Sequence, residues 1–298
     1  MLKESPLRRL ESPLLAAAGV QLHIKREDLV DFELGGNKWR KLKYNLVAAA
    51  QQNHDTLLTF GGAYSNHIYA TAAAGKRLGL RTIGLIRGEP HSPLNPTLQF
   101  AVDCGMQLEY IDRSQYRDKA EAAFIETLKA QYGRFYLLPE GGSNALAVKG
   151  CAEIVEEIEQ DFDFICSACG TGATLAGLVS GLKEPQKAIG FAVLKGAGFL
   201  RDEIENFLQY SEASSPAGWQ LNTDYHCGGY AKTTPELWAF IEKFKQDFDI
   251  LLDGVYTGKM LYGLFDLIQQ GHFPAGSRII AVHTGGVQGN LGFSQKHR

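Results

Sequence analysis

The stretch Thr56-Leu57-Leu58-Thr59-Phe60-Gly61-Gly62-Ala63-Tyr64-Ser65-Asn66-His67 reads as an apolar strand, a glycine turn and the start of a helix that runs from Ser65 to Leu80. The same grammar repeats on either side of it. Strands are expected at Thr82–Ile86, Gln107–Ile111 and Phe135–Leu138, with helices at Asn95–Cys104 and Tyr116–Tyr132 between them. Beyond these come strand Phe162–Cys166, helix Thr174–Leu182, strand Ala188–Leu194 and helix Phe199–Tyr210. Helices Pro235–Asp247 and Lys259–Gln270 and strand Arg278–His283 follow. Strands alternating with helices of ten or more residues make βαβ units and parallel sheet. Most of the strands are nearly continuous apolar runs, as they must be when helices cover both faces. The series is interrupted at Pro139-Glu140-Gly141-Gly142-Ser143. The expectation is an α/β protein of two doubly wound lobes, with mainly parallel sheets and the active site in the cleft between them. Ser211–Gly218, rich in Ser, Ala and Pro, is expected as a surface loop.

The bulk properties exclude several classes. The chain has 298 residues, 45% of them hydrophobic and 21% charged, which is ordinary for a globular protein. Its net charge of −3 argues against a nucleic-acid or anionic-membrane partner, which needs a basic stripe. No run of about twenty apolar residues is available to span a membrane. Pro13–Ala18 is too short for a secretion signal, has Arg8, Arg9 and Glu11 before it, and leads straight into a strand-like segment. The five cysteines are scattered. Cys166 and Cys169 have the spacing of a redox or metal pair, yet Cys166 sits in an apolar strand and no second pair exists for zinc. Buried, reduced thiols, no metal and a cytoplasmic location are the expectation.

Five segments carry polar chemistry at the ends of these elements. In Gly35-Gly36-Asn37-Lys38-Trp39-Arg40-Lys41-Leu42 a lysine follows two glycines and opens a helical pattern of Leu42, Leu46, Val47 and Ala50. A lysine that bonds covalently to a bulky group needs backbone cleared beside it; a basic helix start after a glycine turn gives the same residues. In Gly61–His67 the glycines and helix N-terminal amides suit an anion such as a carboxylate, while Ser65 also reads as a plain N-cap. Cys169-Gly170-Thr171-Gly172-Ala173-Thr174 follows a strand and opens a helix, a phosphate cradle of amides and threonine hydroxyls. It lacks the Lys-Ser/Thr pair of a P-loop and the third glycine of a dinucleotide fingerprint. Gly254-Val255-Tyr256-Thr257-Gly258-Lys259 places a tyrosine at a cleft edge, to move a proton or simply to pack. His283-Thr284-Gly285-Gly286 ends the last strand, with His283 read as structural and Thr284 as a polar group that a cofactor ring could meet.

A lysine, a phosphate cradle, a carboxylate site and polar strand ends are the components that pyridoxal phosphate needs to act on an amino acid. Here the chain resembles the 1-aminocyclopropane-1-carboxylate deaminase and D-cysteine desulfhydrase family, within the tryptophan-synthase-β-like, fold type II pyridoxal-phosphate enzymes. The resemblance runs from Ile24-Lys25-Arg26-Glu27-Asp28 to His283-Thr284-Gly285-Gly286 and is most specific at Gly35–Leu42. It implies a large cofactor-binding domain of residues 1–38 plus 143–298 and a small domain of 39–142. Lys38 would be the Schiff-base lysine and catalytic base. Asn66 would meet the ring 3′ oxygen, and Thr171, Gly172, Ala173 and Thr174 would hold the phosphate. Ser65, Asn66 and His67 would receive the substrate, with Ser65 and the adjoining amides on its carboxylate. Tyr256 matches the family's active-site tyrosine, and Tyr230, in Cys227-Gly228-Gly229-Tyr230, a second one. Thr257 and Thr284 would lie by the ring. In members that open the cyclopropane these two positions resemble a glutamate and a leucine, so the threonines imply β-elimination from D-cysteine. The chain departs from many relatives at Tyr64, where they carry glutamine, and in the loop Arg87–His91. A small amino-acid substrate and a homodimer complete what the resemblance implies.

Overall fold

A computed structural model describes residues 4–90, 92–210 and 218–290. Residues 211–217 of the expected surface loop, and His91, lie outside the described residues. The chain forms two mainly parallel sheets. Its N-terminal part supplies β1 (Leu7–Leu10), α1 (Pro13–Ala18) and β2 (Gln21–Lys25), followed by α2 (Asn37–Gln51). The smaller sheet is then built without interruption. It comprises β3 (Thr56–Gly61), α3 (Asn66–Leu78), β4 (Arg81–Arg87), α4 (Pro96–Asp103), β5 (Gln107–Ile111), α5 (Ala122–Tyr132) and β6 (Tyr136–Leu138). The rest is α6 (Ala145–Glu156), β7 (Phe164–Cys169), α7 (Ala173–Gly181), β8 (Lys187–Ala192), α8 (Leu200–Tyr210), β9 (Trp219–Asn222), α9 (Pro235–Phe248), α10 (Thr257–Gln269) and β10 (Arg278–Val282).

The smaller sheet has strand order β5-β4-β3-β6, all parallel. The larger has order β1-β2-β10-β7-β8-β9, with only the edge strand β1 antiparallel. Alternating side chains serve opposite faces, as the two-residue period requires. In the larger sheet Cys166 and Ile189 face α9 and α10, while Ile165 and Ala188 face α6, α7 and α8. In the smaller sheet Leu57 packs with α2 and α3, and Leu58 with Leu128 of α5. The doubly wound α/β architecture is the one expected. Among the described residues no helix is long and apolar enough to cross a membrane.

Several local expectations change. Tyr116–Tyr132 is not one helix. A 3-10 turn covers Gln115–Asp118 and α5 starts at Ala122, because Glu121 is extended. The Asp112 carboxylate, accepting from the amides of Ser114 and Gln115, holds this turn in place of a helical start. Strands β1 and β9 and helices α1 and α6 lie outside the expected elements. Helix α6 matters most, since it wedges between α2 and α7. It does so through glycine contacts. A Cβ on Gly150 would stand 1.9 Å from the Arg40 carbonyl oxygen, and one on Gly177 2.4 Å from Cβ of Cys151. This crossing fixes α2 against α7. A buried ionic cluster reinforces it. The Arg40 guanidinium is bonded to the fully buried Glu27 at 2.9 Å and to Glu157, the C-cap of α6, at 2.6 Å. Cys166 and Cys169 are buried and all five thiols are free.

Candidate active site

The carboxyl ends of both sheets open on one cavity of about 580 Å³, lined among others by Lys38, Ser65, Asn66, Thr171, Tyr256 and Thr284. Ligands bind at such strand ends in open α/β sheets.

Lys38 lies in the first turn of α2 because Gly36 lets that helix begin hard against β10. Gly36 has φ 72°, and a Cβ there would stand 2.0 Å from the carbonyl oxygen of Thr284. That same carbonyl accepts the Asn37 amide at 3.3 Å. Lys38 Nζ makes no hydrogen bond or ion pair with a described residue. Burial, and then the charge of Lys41, lower its pKa from 10.5 to about 7. The group is therefore a substantially neutral amine near pH 7, able to act as nucleophile or base.

One helical turn on, Lys41 lies on the same side of α2. Its Nζ reaches the Gly141 carbonyl at 3.2 Å, Ser143 Oγ at 3.1 Å and Thr171 Oγ1 at 3.4 Å. Ser143 and Thr171 share a hydrogen bond of 2.7 Å, and Asn37 Nδ2 donates to Thr174 Oγ1 at 2.8 Å. The N-cap of α7, Gly172, offers no capping side chain, so the first amides of this nine-residue helix stay free. Ammonium, hydroxyls and free amides thus converge on one corner of the cavity. That donor set fits the phosphate of pyridoxal phosphate, and the partnerless neutral amine of Lys38 fits its aldehyde. Lys41, Ser143 and Asn37 were not among the residues expected from sequence. The signals available were the three-residue spacing from Lys38 and the serine after Gly141-Gly142.

Ser65 is the N-cap of α3, its Oγ accepting from Ile68 N at 3.3 Å, and Asn66 receives Gln288 Nε2 at 3.0 Å. Both line the cavity. His67 lines it too, but as a buried wall: its Nε2 bonds to Thr59 Oγ1 at 2.8 Å and its Nδ1 has no partner. Thr59 donates its own proton to the Leu138 carbonyl, so His67 must donate from Nε2 and keep Nδ1 bare. Burial, followed by the charges of Lys38 and Lys41, pushes its pKa well below 6.5 and keeps the ring neutral.

Tyr256 and Tyr230 meet at the cavity mouth, hydroxyl to hydroxyl at 3.3 Å. Burial raises both pKa values, so both phenols stay protonated at neutral pH. Each tyrosine is fixed from behind. Asp253, buried, accepts the amides of Val255, Tyr256 and Thr257 at 2.8, 2.6 and 2.8 Å. The buried Lys259 donates to the Gly229 carbonyl at 2.7 Å, tying the loop of Tyr230 to α10. Thr257 is not brought to the cavity: its hydroxyl is spent on Asp253 Oδ2 at 2.6 Å. Thr284 does reach it, with a hydroxyl that bonds to no described residue. Ala173, the first residue of α7, is fully buried and does not line the cavity. Among the described residues no group of three His, Cys, Asp or Glu side chains could hold a metal.

A model of the family "Pyridoxal-phosphate dependent enzyme" matches residues 2–285. A Pyrococcus horikoshii protein carried under the provisional name 1-aminocyclopropane-1-carboxylate deaminase is 33% identical over 98% of this chain and 92% of its own. The D-cysteine desulfhydrase of Yersinia enterocolitica is 33% identical over 95% of this chain and 91% of its own. A solved structure described as an ACC deaminase homologue superposes with a TM-score of 0.86 at 31% identity, covering 99% of this chain and 93% of that one.

Proposed function

The chain belongs to the family of pyridoxal-phosphate-dependent enzymes, and from that premise we propose that it is a lyase of small amino acids, with D-cysteine the preferred substrate. The net reaction is D-cysteine plus water giving pyruvate, ammonia and hydrogen sulfide. Lys38 holds the cofactor, and Lys41, Ser143, Thr171, Thr174 and the amides of α7 hold its phosphate. Bound there, the cofactor supplies a ring that takes up the electron pair left at Cα. The chain's residues do the rest. The Ser65–Asn66 end of α3 receives the substrate carboxylate. The neutral Lys38 amine removes the Cα proton. The paired hydroxyls of Tyr256 and Tyr230, still protonated, give a proton to the leaving sulfur.

The observation that carries D-cysteine over ring opening is Thr284. Thr284, a neutral residue whose hydroxyl bonds to no described residue, lines the cavity where the resemblance places a different residue in ring-opening members. Thr257, the other neutral position, has its hydroxyl committed to Asp253. Expelling a thiolate demands less of the ring than opening an unactivated cyclopropane. The second reading, 1-aminocyclopropane-1-carboxylate giving 2-oxobutanoate and ammonia, is favoured by the name of the Pyrococcus relative. Purified holoenzyme is offered D-cysteine, L-cysteine and the cyclopropane, and sulfide, keto acid and ammonia are scored. Sulfide and pyruvate from D-cysteine are expected; ammonia from the cyclopropane with no sulfide from D-cysteine would overturn the assignment.

Sheet membership supports a small unit of residues 39–142 and a large one of 1–38 plus 143–298. Five free thiols suit the reducing cytoplasm. The family resemblance alone supports a homodimer, which light scattering on the purified protein would test.

A further inference from the structure

The cavity wall carries four basic side chains, Lys38, Lys41, Arg87 and Lys119, and two acidic ones, Glu140 and Glu203. Three of the basic groups have assignments. Lys38 is the neutral amine, and Lys41 faces the phosphate corner. Lys119 is paired with Glu140 at 3.3 Å, and Glu140 also accepts the Tyr116 hydroxyl at 2.7 Å. Arg87 is left over. Among the described residues no carboxylate stands within 4.0 Å of it. Its guanidinium rests over the Tyr116 ring, 5.5 Å from the centroid, which supports the plane and leaves the N–H edge free. Nη2 lies 3.9 Å from where a Cβ on Gly62 would be, beside the turn that leads into α3. A planar, permanently charged fork of donors is the side chain best suited to a carboxylate or phosphate.

Arg87 ends β4 as the Gly61–Ser65 turn ends β3, and the register pairs Gly61 with Ile86. Adjacent strands are about 4.8 Å apart, so the end of β4 that bears Arg87 and the turn leading into α3 stand roughly one strand spacing from each other. A substrate whose α-carboxylate occupies the α3 end would carry its side chain past Arg87. We infer that Arg87 reads a second anionic group where a substrate carries one, so that beside D-cysteine the site also takes amino acids whose β-substituent ends in a carboxylate or a phosphate. The inference rests on the β-elimination reading above and deepens it. The step is the same: Cα loses its proton, the Cβ–O bond breaks with its electron pair leaving on the ester oxygen, and one water gives the 2-oxo acid and ammonia.

The test compares serine esters on holoenzyme, in both enantiomers: O-phosphoserine and O-succinylserine, which are anionic, against O-acetylserine, which is neutral. Wild type should favour at least one anionic ester in kcat/KM, and which one identifies the group recognised. Arg87→Met should lower the ratio of that ester to the acetyl ester at least tenfold, and Arg87→Lys should lower it less. An equal loss on all three esters would overturn the inference, because Arg87 would then serve the α-carboxylate or the shape of the mouth. A second readout needs no turnover. Binding of aspartate and of alanine is followed by the visible absorbance of the bound cofactor, and the aspartate preference should fall at least tenfold in Arg87→Met. Its persistence would sink the inference whatever the chemistry. Absent elimination from every ester and from D-cysteine, with that binding preference lost as expected, would fault the lyase reading and leave Arg87's role standing.

Discussion

The state of the Lys38 amine makes a sharp prediction about pH. Its pKa is lowered from 10.5 to about 7, first by burial and then by the charge of Lys41. At pH 7.5 about three quarters of such amines are neutral; an ordinary lysine would be neutral in about one molecule in a thousand. Only the neutral form attacks an aldehyde. Capture of pyridoxal phosphate by apoprotein, followed through the visible absorbance of the lysine-bound cofactor, should therefore rise with a midpoint near pH 7 and level off by about pH 8. The cofactor's own titration is removed by running a simple amine in the same buffers. Lys41→Met takes away the neighbouring charge, so its midpoint should move upward, although capture also slows for want of a phosphate donor. A rate that keeps climbing tenfold per pH unit through pH 9 in wild type would refute the reasoning, since Lys38 would then be behaving as an exposed lysine.

Four further outcomes follow from the same geometry. Lys38→Ala should fold yet lose roughly a thousandfold or more in turnover, and borohydride reduction with peptide mapping of wild type should find the cofactor on Lys38 and on no other lysine. Thr171→Val with Thr174→Val removes two hydrogen bonds to a charged acceptor, each worth about 1.5–3 kcal/mol; equilibrium dialysis should show cofactor affinity down by two orders of magnitude or more. Gly150→Ala forces a methyl into the Arg40 carbonyl, so urea unfolding should report about 1–3 kcal/mol lost, and cofactor retention should weaken because α2 is displaced. Between pH 7 and 8.5 the apoprotein should gain roughly 1–2 kcal/mol of stability: the unfolded chain binds a proton that folded Lys38 does not, so stability rises with pH, a sign that urea midpoints across that range would verify or reverse.

The sequence made the alternation of elements legible because a strand buried on both faces has no choice but a run such as Thr56–Phe60. It made the site legible wherever a motif is local, as at Gly35–Lys38 and Thr171–Thr174. What it concealed is non-local. Helix α6 has an apolar face in several directions, since α2 and α7 both press on it, and its Gly150 and small residues look like loop until the crossing is seen. Lys41 reads as surface charge until Ser143 and Thr171 arrive from distant segments. Thr257 stands beside Tyr256 in the chain, yet Asp253 turns its hydroxyl away from the cavity. Arg87 gave no signal beyond its place at a strand end. Each of these is decided by a partner that neighbouring sequence does not specify.

The position of β10 in the larger sheet sets a timetable for biosynthesis. β2 reaches β7 only through β10, and the helix that bears Lys38 begins against the carbonyl of Thr284. The smaller sheet is complete once Leu138 has been made. At about 5–20 residues per second, the ribosome needs roughly seven to thirty seconds more to deliver β10. Through that interval β2 is an open edge and Lys38 has no fixed address, so a growing chain that reaches the cofactor early has nowhere to keep it. Arrested nascent chains should retain cofactor only after residues 278–284 have cleared the ribosome, and those strand edges are where a chaperone would be needed first.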